Sequence, residues 1–176
     1  NWAIFDKVRG YALRLDCSAT GGEQDWSDYL SSFDLNGFTV KSATSDINRS
    51  TNKICSWGWK AGGNKNTFNV DDVGYASAAA AGLIAGTDPS TDVLGASVGT
   101  KQGFSIIKYN NSDGGTYEIP HGLTQTPNIL ISKKTSGSEN WYVHTNAIDG
   151  TVDYAHLNLT NSFNASSRTL TSTTVP

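Results

Sequence analysis

Side chains able to contact a sugar are concentrated in one short stretch near the start of the chain, GGEQDWSDYL (residues 21–30). The aromatic residues Trp26 and Tyr29 stand there beside the acids Asp25 and Asp28. An aromatic ring can stack on the apolar C–H face of a sugar, while neighbouring carboxylates accept hydrogen bonds from its hydroxyls. We therefore predict glycan contact by Trp26, Tyr29, Asp25 and Asp28. The alternative is that the aromatic pair only anchors its own loop.

The three histidines lie in turn-like or strand-like sequence. His121 stands in IPHGLTQTP, where Pro and Gly predict a turn. We expect its ring to bond to the backbone and fix that turn, with ligand contact and, after that, catalysis as the alternatives. His144 and His156 lie in adjacent strand-like segments and could face each other or a metal ion. The sequence offers them no third ligand, and we predict no metal site.

Other polar groups give weaker signals. Asp71 and Asp72 could bind calcium, but the D-x-D-x-D-G spacing of calcium loops is absent. Lys133 and Lys134 are predicted to form a solvated strand end. No G-x-S-x-G motif, Cys–His pair with an orienting group or distinctive carboxylate pair occurs. We therefore expect a protein that is not an enzyme and takes no cofactor.

The two cysteines, Cys17 and Cys55, each lie in a strand-like run. Small disulfide-stabilised domains are much richer in cysteine, so we predict free, buried thiols, with a single cross-strand disulfide as the alternative. No CxxC spacing that would indicate a zinc site is present.

Composition narrows the class of protein. The chain is 37% hydrophobic and 16% charged, with 18 glycines, which favours short strands joined by polar turns. A net charge of −3 provides no basic surface for nucleic acid, and no apolar run approaches the roughly 20 residues that span a membrane. We expect an all-β protein with neither nucleic acid nor membrane as partner. The absence of Met suggests a piece of something longer.

Short runs rich in aromatic and β-branched residues predict the strands: WAIFD, YALRLDC, GFTV and NKICSWGW early, then GFSIIKYN, TYEI, NILISKK, NWYVHT and DYAHLNL. The Asn-Gly pair of DLNGF predicts a hairpin, and NNSDGG predicts a second one. Alternation in YALRLDC places four residues on one face of the strand: Tyr11, Leu13, Leu15 and Cys17. Arg14 and Asp16 lie on the other face.

The segment between these strand-rich parts differs in character. Residues 61–102 are rich in Gly, Ala, Ser, Thr and Asp, and YASAAAAGLIAG could form one or two helical turns ended by Gly82. We predict three parts: residues 1–62 as the C-terminal part of one β-sandwich module, 63–102 as an ordered connector, and 103–176 as the N-terminal part of a second module.

An internal repeat supports this division. Asn1-Trp2 matches Asn140-Trp141 at an offset of 139, and Tyr11-Ala12 matches Tyr154-Ala155 at an offset of 143, which predicts a longer turn in the second copy. The chain is thus expected to cover the end of one module and the start of the next. Trp2, Trp141, Trp57 and Trp59 recur at matching strand positions and are predicted to pack in cores, with sugar stacking as the alternative.

The combination GFSIIKY, IPHGL, PNILISKK, NWYVH, GFTV and WGWKAGG resembles a repeat module of tailed-phage virion structural proteins of fibre or decoration type. Residues 103–160 and 1–63 carry the two halves of that module, so the resemblance covers nearly the whole chain. It implies antiparallel β-sandwich modules of the jelly-roll, concanavalin-like or laminin-G-like kind. One strand of the family's module often reads L-L-N. The corresponding strand here departs from that pattern, with YALRLD in the first copy and YAHLNL in the second.

Three functions follow as hypotheses. The first is a structural protein on the virion surface, in a tail fibre, tail tip or head decoration, whose partners are other virion proteins or copies of itself as a homo-oligomer, with host-surface glycans as further ligands. The second is a lectin-like receptor protein that uses GGEQDWSDYL. The third is a glycan-degrading enzyme on the same sandwich. Fold alone does not decide among them.

Overall fold

The computed structural model describes residues 2–41, 47–84, 91–111 and 118–165, and this part of the chain is all-β. The all-β class that the composition predicts is confirmed: the structure has several antiparallel sheets and one parallel strand pair, consistent with the β-sandwich-like class that the resemblance implies. The strands are β1 (Ala3–Asp6), β2 (Gly10–Asp16), β3 (Gln24–Asp25), β4 (Leu30–Asp34), β5 (Gly37–Val40), β6 (Phe68–Val70), β7 (Val73–Tyr75), β8 (Thr91–Gly99), β9 (Phe104–Asn111), β10 (Ile129–Ser132), β11 (Tyr142–Thr145), β12 (Asp153–His156) and β13 (Asn164–Ala165). Within the described ranges, no helix has the length and apolar character needed to cross a membrane.

Contacts divide the chain into two compact units whose boundaries differ from the predicted ones. The first unit combines described residues of 1–5, 11–49 and 126–176, and contains most of sheet β1-β2-β3 together with β4-β5 and β10-β11-β12-β13. The second combines residues 6–10 with described residues of 50–125, and contains the sheet β7-β6-β8-β9. Described residues from early and late in the sequence thus contribute to one unit, and the described residues of the predicted connector lie within the other.

The internal repeat is present in the backbone hydrogen bonds of the first unit. The amide of Cys17 donates to the carbonyl oxygen of Trp2 at 3.2 Å, and the amide of Leu157 donates to that of Trp141 at 3.0 Å. Trp2 and Trp141 are therefore equivalent, at the offset of 139 that their sequence match predicts. Cys17 and Leu157 are equivalent at 157 minus 17, or 140, so the turn of the second copy is longer by one residue.

Strand pairing extends the offset of 140 beyond this point. The matching cross-strand pairs are Leu13–Asp25 with Asp153–Ala165, and Arg14–Gln24 with Tyr154–Asn164. The structure thus aligns Tyr154 with Arg14, and the predicted match of Tyr154 to Tyr11 is wrong. Matching identical residues misaligned the second strand of the repeat, because a Tyr-Ala pair occurs in both copies but at different positions along the paired strands. We call β1–β3 the first repeat and β11–β13 the second repeat.

The predicted strand NKICSWGW is wrong. Residues 52–60 form no strand in the structure, and every residue from 51 to 60 is exposed. Trp57 and Trp59 keep 60% and 71% of their surface, and Trp2 keeps 58%. Core packing is therefore confirmed for Trp141 alone among the four tryptophans, at 4% exposure. Recurrence along the sequence identified a repeated position, but burial at that position depends on what lies against it.

Strand β8 supplies the core of the second unit, although its residues, TDVLGASVG, fall within the predicted connector. Ala96 and Val98 are fully buried and pack with Leu83 and Val93. A Cβ on Gly62 would lie 2.2 Å from the carbonyl oxygen of Val98, so another backbone segment runs directly against this strand. Small side chains permit that approach, and the composition that indicated a connector instead produces a closely packed strand.

Instead of a helix, YASAAAAGLIAG forms a single capped turn within the described residues. The Ser77 hydroxyl oxygen accepts a hydrogen bond from the Ala80 amide at 3.1 Å, as an N-cap does. At the other end the amide of Leu83 donates to the Ala78 carbonyl, and Gly82 has a φ of +71°. Gly82 thus ends the turn as the sequence predicts, and places Leu83 in the core at 1% exposure.

The two predicted hairpin turns have different outcomes. Strands β4 and β5 pair with Asp34 opposite Gly37, so the DLNGF hairpin is confirmed, with Leu35 and Asn36 as its loop. Residues 112–115 of NNSDGG, and residues 116 and 117 of TYEI, lie outside the described residues, and residues 118 and 119 form no strand.

Candidate functional site

The predicted sugar-contact loop is held to the first repeat by its backbone. Strand β3 pairs with β2, and the amide of Trp26 donates to the Ala12 carbonyl at 2.7 Å. The amide of Tyr29 then donates to the Trp26 carbonyl at 2.9 Å, which closes a turn. The four predicted residues 25, 26, 28 and 29 thus lie in one fixed turn.

The indole of Trp26 lies between two planar groups. The Tyr29 ring stacks on it, with centroids 3.8 Å apart and planes inclined by 25°, and the guanidinium carbon of Arg14 lies 3.6 Å from its centroid. Two groups at van der Waals separation from one ring cannot share a face, so they cover opposite faces. A sugar could stack on Trp26 only by displacing one of them. The geometry matches the alternative, in which the aromatic pair anchors its own loop.

Burial of Arg14 contradicts the predicted outward face of β2. The side chain is 4% exposed although alternation along the strand places it opposite Leu15, which is also buried. Arg14 forms a short ion pair with Asp16 while its guanidinium lies over Trp26. Burial raises the pKa of Asp16, but hydrogen bonds from Ser18 and the charge of Arg14 outweigh it and hold the pKa below its usual 3.8. The aromatic loop therefore covers an otherwise outward-facing side chain.

The two acids of the loop are exposed and differ in their contacts. A carboxylate oxygen of Asp25 accepts a hydrogen bond from the Ser27 amide at 2.9 Å, which stabilises the turn. Asp28 is exposed beside Tyr29. Glycan contact by Trp26, Tyr29, Asp25 and Asp28 stays a prediction.

An open cavity of about 460 Å³ lies next to this loop in the first unit. It is lined by Gly22, Glu23, Gln24, Thr135, Ser136 and Gly137. The Glu23 amide donates to the Thr135 carbonyl at 2.8 Å, and a Cβ on Gly22 would approach that oxygen to 2.6 Å. Backbone and small polar groups dominate this lining, so the cavity offers hydrogen bonds rather than an apolar surface for a ligand.

Lys133 stabilises one wall of the cavity. The predicted solvated strand end is therefore wrong for Lys133, whereas Lys134 is exposed, as predicted. The Lys133 ammonium donates to the carbonyl oxygens of Lys134, at 2.6 Å, and of Gly137, at 3.4 Å. Lys133 is half-buried, and that burial lowers the pKa of its amine.

A second group of aromatic side chains lies on the sheet of the second repeat. Strand pairing places Tyr142 opposite His156 and His144 opposite Tyr154, all on one face. The Tyr142 and His156 ring centroids are 4.9 Å apart, and those of His144 and Tyr154 are 6.2 Å apart. We call Tyr142, His144, Tyr154 and His156 the aromatic patch.

Within the pair β11–β12, the aromatic patch lies on the more exposed face. Thr145, Asp153 and Ala155 occupy the other face and are buried, whereas all four patch residues are half-buried. Burial lowers the pKa of His144, whose Nδ1 has no hydrogen-bond partner among the described residues. Sequence reasoning placed the two histidines near each other but missed the tyrosines. The repeated Y-x-H spacing of Tyr142–His144 and Tyr154–His156 is the signal that identifies them.

His121 has the turn-fixing contact that the sequence predicts. Its Nδ1 accepts a hydrogen bond from the Leu123 amide at 3.0 Å across Gly122, whose φ is +69°. A Cβ on Gly122 would lie 2.8 Å from a methyl carbon of Leu83, so the turn packs against the core of the second unit. Burial lowers the pKa of His121.

Asp71 and Asp72 have structural partners in the second unit. They form the turn between β6 and β7, both with positive φ, at 49° and 69°. The Asp71 carboxylate accepts bonds from the amide and hydroxyl of Thr100, and Asp72 pairs with Lys60 at 2.5 Å. Across the described ranges, no group of three His, Cys, Asp or Glu residues could hold a metal ion.

The cysteines have free thiols, as predicted, but neither is fully buried. Cys17 is half-buried and Cys55 is exposed. Burial of Cys17 raises the pKa of its thiol.

Comparison with known proteins places this structure in a family. No curated protein and no solved structure gives a significant match. One family profile, described as Domain of unknown function (DUF7483), matches residues 1–176. Since that match covers the full sequence, the chain belongs to the DUF7483 family.

Proposed function

We propose that this protein is a structural component of the virion surface of a tailed phage, built from repeated β-sandwich modules. The observation that carries the proposal is the pair of equivalent sheets in the first unit, which share one hydrogen-bond pattern at an offset of 140 residues. A repeated β unit that docks on its neighbour suits an extended, mechanically stable particle component. The role is mechanical and adhesive, in a tail fibre, tail tip or head decoration.

The resemblance to phage modules supplies the link to the particle. It rests on four motifs that are distributed over the two units. NWYVH lies in the first unit, and GFSIIKY, IPHGL and WGWKAGG lie in the second. Other virion proteins and copies of the chain itself are the partners that this role requires. The role needs no cofactor and no catalytic step.

Immunogold labelling of intact particles with an antibody against this chain tests the proposal. Gold at the tail tip, along fibres or over the head would support it and would assign the position on the particle. Particles without gold, from a lysate in which the same antibody detects the protein, would refute it. A control antibody against a known capsid protein should label the head in the same preparation.

The second candidate function is glycan binding, which the aromatic patch favours. Tyr142 and Tyr154 present half-buried rings on one face of the pair β11–β12, with imidazole groups beside them. Aromatic rings supply stacking surface and the imidazoles supply hydrogen bonds, the combination that sugar-binding sites use. In contrast, Arg14 and Tyr29 cover both faces of Trp26 in the loop.

A glycan array followed by titration calorimetry tests this candidate. Tyr154→Ala should abolish binding if the patch is the site, whereas Trp26→Ala should abolish it if the loop is. Tyr109→Ala removes a tyrosine that is 46% exposed in the second unit and serves as the matched control. No binding by the wild type would eliminate the candidate, and release of sugar fragments would indicate an enzyme instead.

A further inference from the structure

The two repeats of the first unit are joined by one tryptophan. The Nε1–H of Trp141, at the start of the second repeat, donates to the carbonyl oxygen of Asp16, at the end of β2, at 2.9 Å. The Trp141 amide also donates to the Asn158 side-chain oxygen at 2.9 Å, which fixes the start of β11. This contact leaves the indole 4% exposed. The end of the first repeat is therefore a receptor for the tryptophan of the next repeat.

The second repeat has the same receptor geometry at its own end. The Asp16 carbonyl accepts a bond from the Ala19 amide at 3.2 Å, and the His156 carbonyl accepts one from the Leu159 amide at 3.2 Å. Asp16 and His156 are equivalent at the offset of 140 found for the strand pairs (156 minus 16). The His156 carbonyl thus occupies the same position in the second repeat as the Asp16 carbonyl does in the first.

The surface around the His156 carbonyl is apolar and exposed. Leu157 and Leu159 are each 46% exposed, and Phe163 is 44% exposed. The equivalents of the two leucines in the first repeat are Cys17 and Ala19, beside which Trp141 docks. The end of the second repeat therefore offers more apolar surface than the end that already receives a tryptophan.

The matching tryptophan is exposed at the other end of the pair of repeats. Trp2 is the equivalent of Trp141 and is 58% exposed. We propose that Trp2 of one copy of this chain docks at the His156 carbonyl of a second copy, packing on Leu157 and Leu159. The occupant is a second copy because the same contact already joins the two repeats within one chain.

This contact is head-to-tail, because the donor surface and the receptor surface are different parts of the molecule. Such a contact adds copies in one direction and produces an open series rather than a closed dimer. The inference rests on the repeat geometry and does not require the virion location proposed above. An experiment that refutes the head-to-tail contact would not refute the virion location, and the reverse also holds.

Sedimentation velocity over a concentration series, up to about 1 mM because isolated contacts of this size bind weakly, tests the inference. The wild type should form dimers and then longer species. Trp2→Ala should weaken association at least about tenfold, since a buried tryptophan carries a large share of interface affinity. Trp59→Ala, which removes an indole that is 71% exposed in the second unit, should associate as the wild type does.

Mixing complementary variants tests the direction of the contact. Leu157→Glu with Leu159→Glu removes the receptor but keeps Trp2, and Trp2→Ala keeps the receptor. Each variant alone should self-associate at least about tenfold more weakly than the wild type, whereas an equimolar mixture should form dimers that do not grow further. A wild type that stays monomeric at about 1 mM, a Trp59→Ala effect equal to that of Trp2→Ala, or a mixture without dimers would each overturn the inference.

Discussion

Arg14 illustrates how strongly one side chain depends on partners that strand alternation does not reveal. Its guanidinium is buried between the Trp26 ring and the Asp16 carboxylate. A planar, delocalised cation can stack on a ring and pair with a carboxylate simultaneously, whereas an ammonium group has no plane to stack on the ring. The loop residues that sequence reasoning assigned to sugar contact therefore also stabilise the first repeat.

Arg14→Lys should lower the free energy of unfolding by about 1–3 kcal/mol, because the ammonium loses the stacking contact and remains poorly hydrated. Urea unfolding followed by tryptophan fluorescence measures the change. Lys53→Arg, the reverse exchange at an exposed position, is the control and should stay within about 0.5 kcal/mol of the wild type. Equal stability of the two variants would contradict the stacked arrangement.

Two histidines should make stability depend on pH. Burial lowers the pKa of His121 and of His144 below the usual 6.5, so the unfolded chain binds protons at a higher pH than the folded one. Both imidazoles contribute fully to the free energy of unfolding above pH 6.5. This contribution is lost as the pH falls from 6.5 towards their lower pKa values in the folded state. Protonation of Nδ1 would also remove the bond that His121 accepts from Leu123.

Unfolding in urea at successive pH values from about 7.5 to 5 should therefore show a declining free energy of unfolding. The double variant His121→Gln with His144→Gln should show a shallower decline, since glutamine does not titrate. An unchanged slope in that variant would assign the pH dependence to other groups.

At the scale of elements, the sequence predicted strands where alternation and β-branched residues agree. GFSIIKYN, NILISKK, NWYVHT and DYAHLNL correspond to β9, β10, β11 and β12, and DLNGF forms its hairpin. NKICSWGW has the composition of a strand but forms none, because strand formation also requires a neighbouring strand to pair with. Strand β8 was missed for the opposite reason, since its Ala, Ser and Gly residues carry little β propensity.

The capped turn before Leu83 depends on one backbone conformation. Gly82→Ala should lower the stability of the second unit by about 1 kcal/mol, because an L-residue is strained at φ +71° although no atom lies within 4 Å of the new Cβ. Hydrogen exchange at the amides of β8 measures the change. Gly58→Ala adds a Cβ in equally open space without a positive φ, and should leave exchange unchanged.

At the scale of the whole molecule, the repeat could be predicted from the sequence but its register and partners could not. The Asn-Trp match located β1 and β11, whereas hydrogen bonds were needed to align Tyr154 with Arg14. Burial could not be predicted from recurrence, because Trp2 and Trp141 hold equivalent positions at 58% and 4% exposure. The aromatic patch likewise required two strands to be paired before its four rings came together.

Trp141→Ala should lower the free energy of unfolding of the first unit by about 3–5 kcal/mol, since it removes a buried ring and the bond to Asp16. Trp2→Ala at the equivalent exposed position should cost under about 1 kcal/mol in the monomer. Dilute samples followed by circular dichroism keep association out of the comparison. Similar losses in both variants would contradict the difference in burial between the two tryptophans.

The two free thiols differ enough to be addressed separately by covalent labelling. Cys55 is exposed, while Cys17 is half-buried with a raised thiol pKa and therefore less thiolate at neutral pH. Since the sequence contains two cysteines in all, brief maleimide treatment of the native protein should place a fluorophore or gold particle on Cys55 selectively. The natural chain thus already carries an attachment point, close to Trp57 and Trp59 in the sequence and distant from both repeats along the chain.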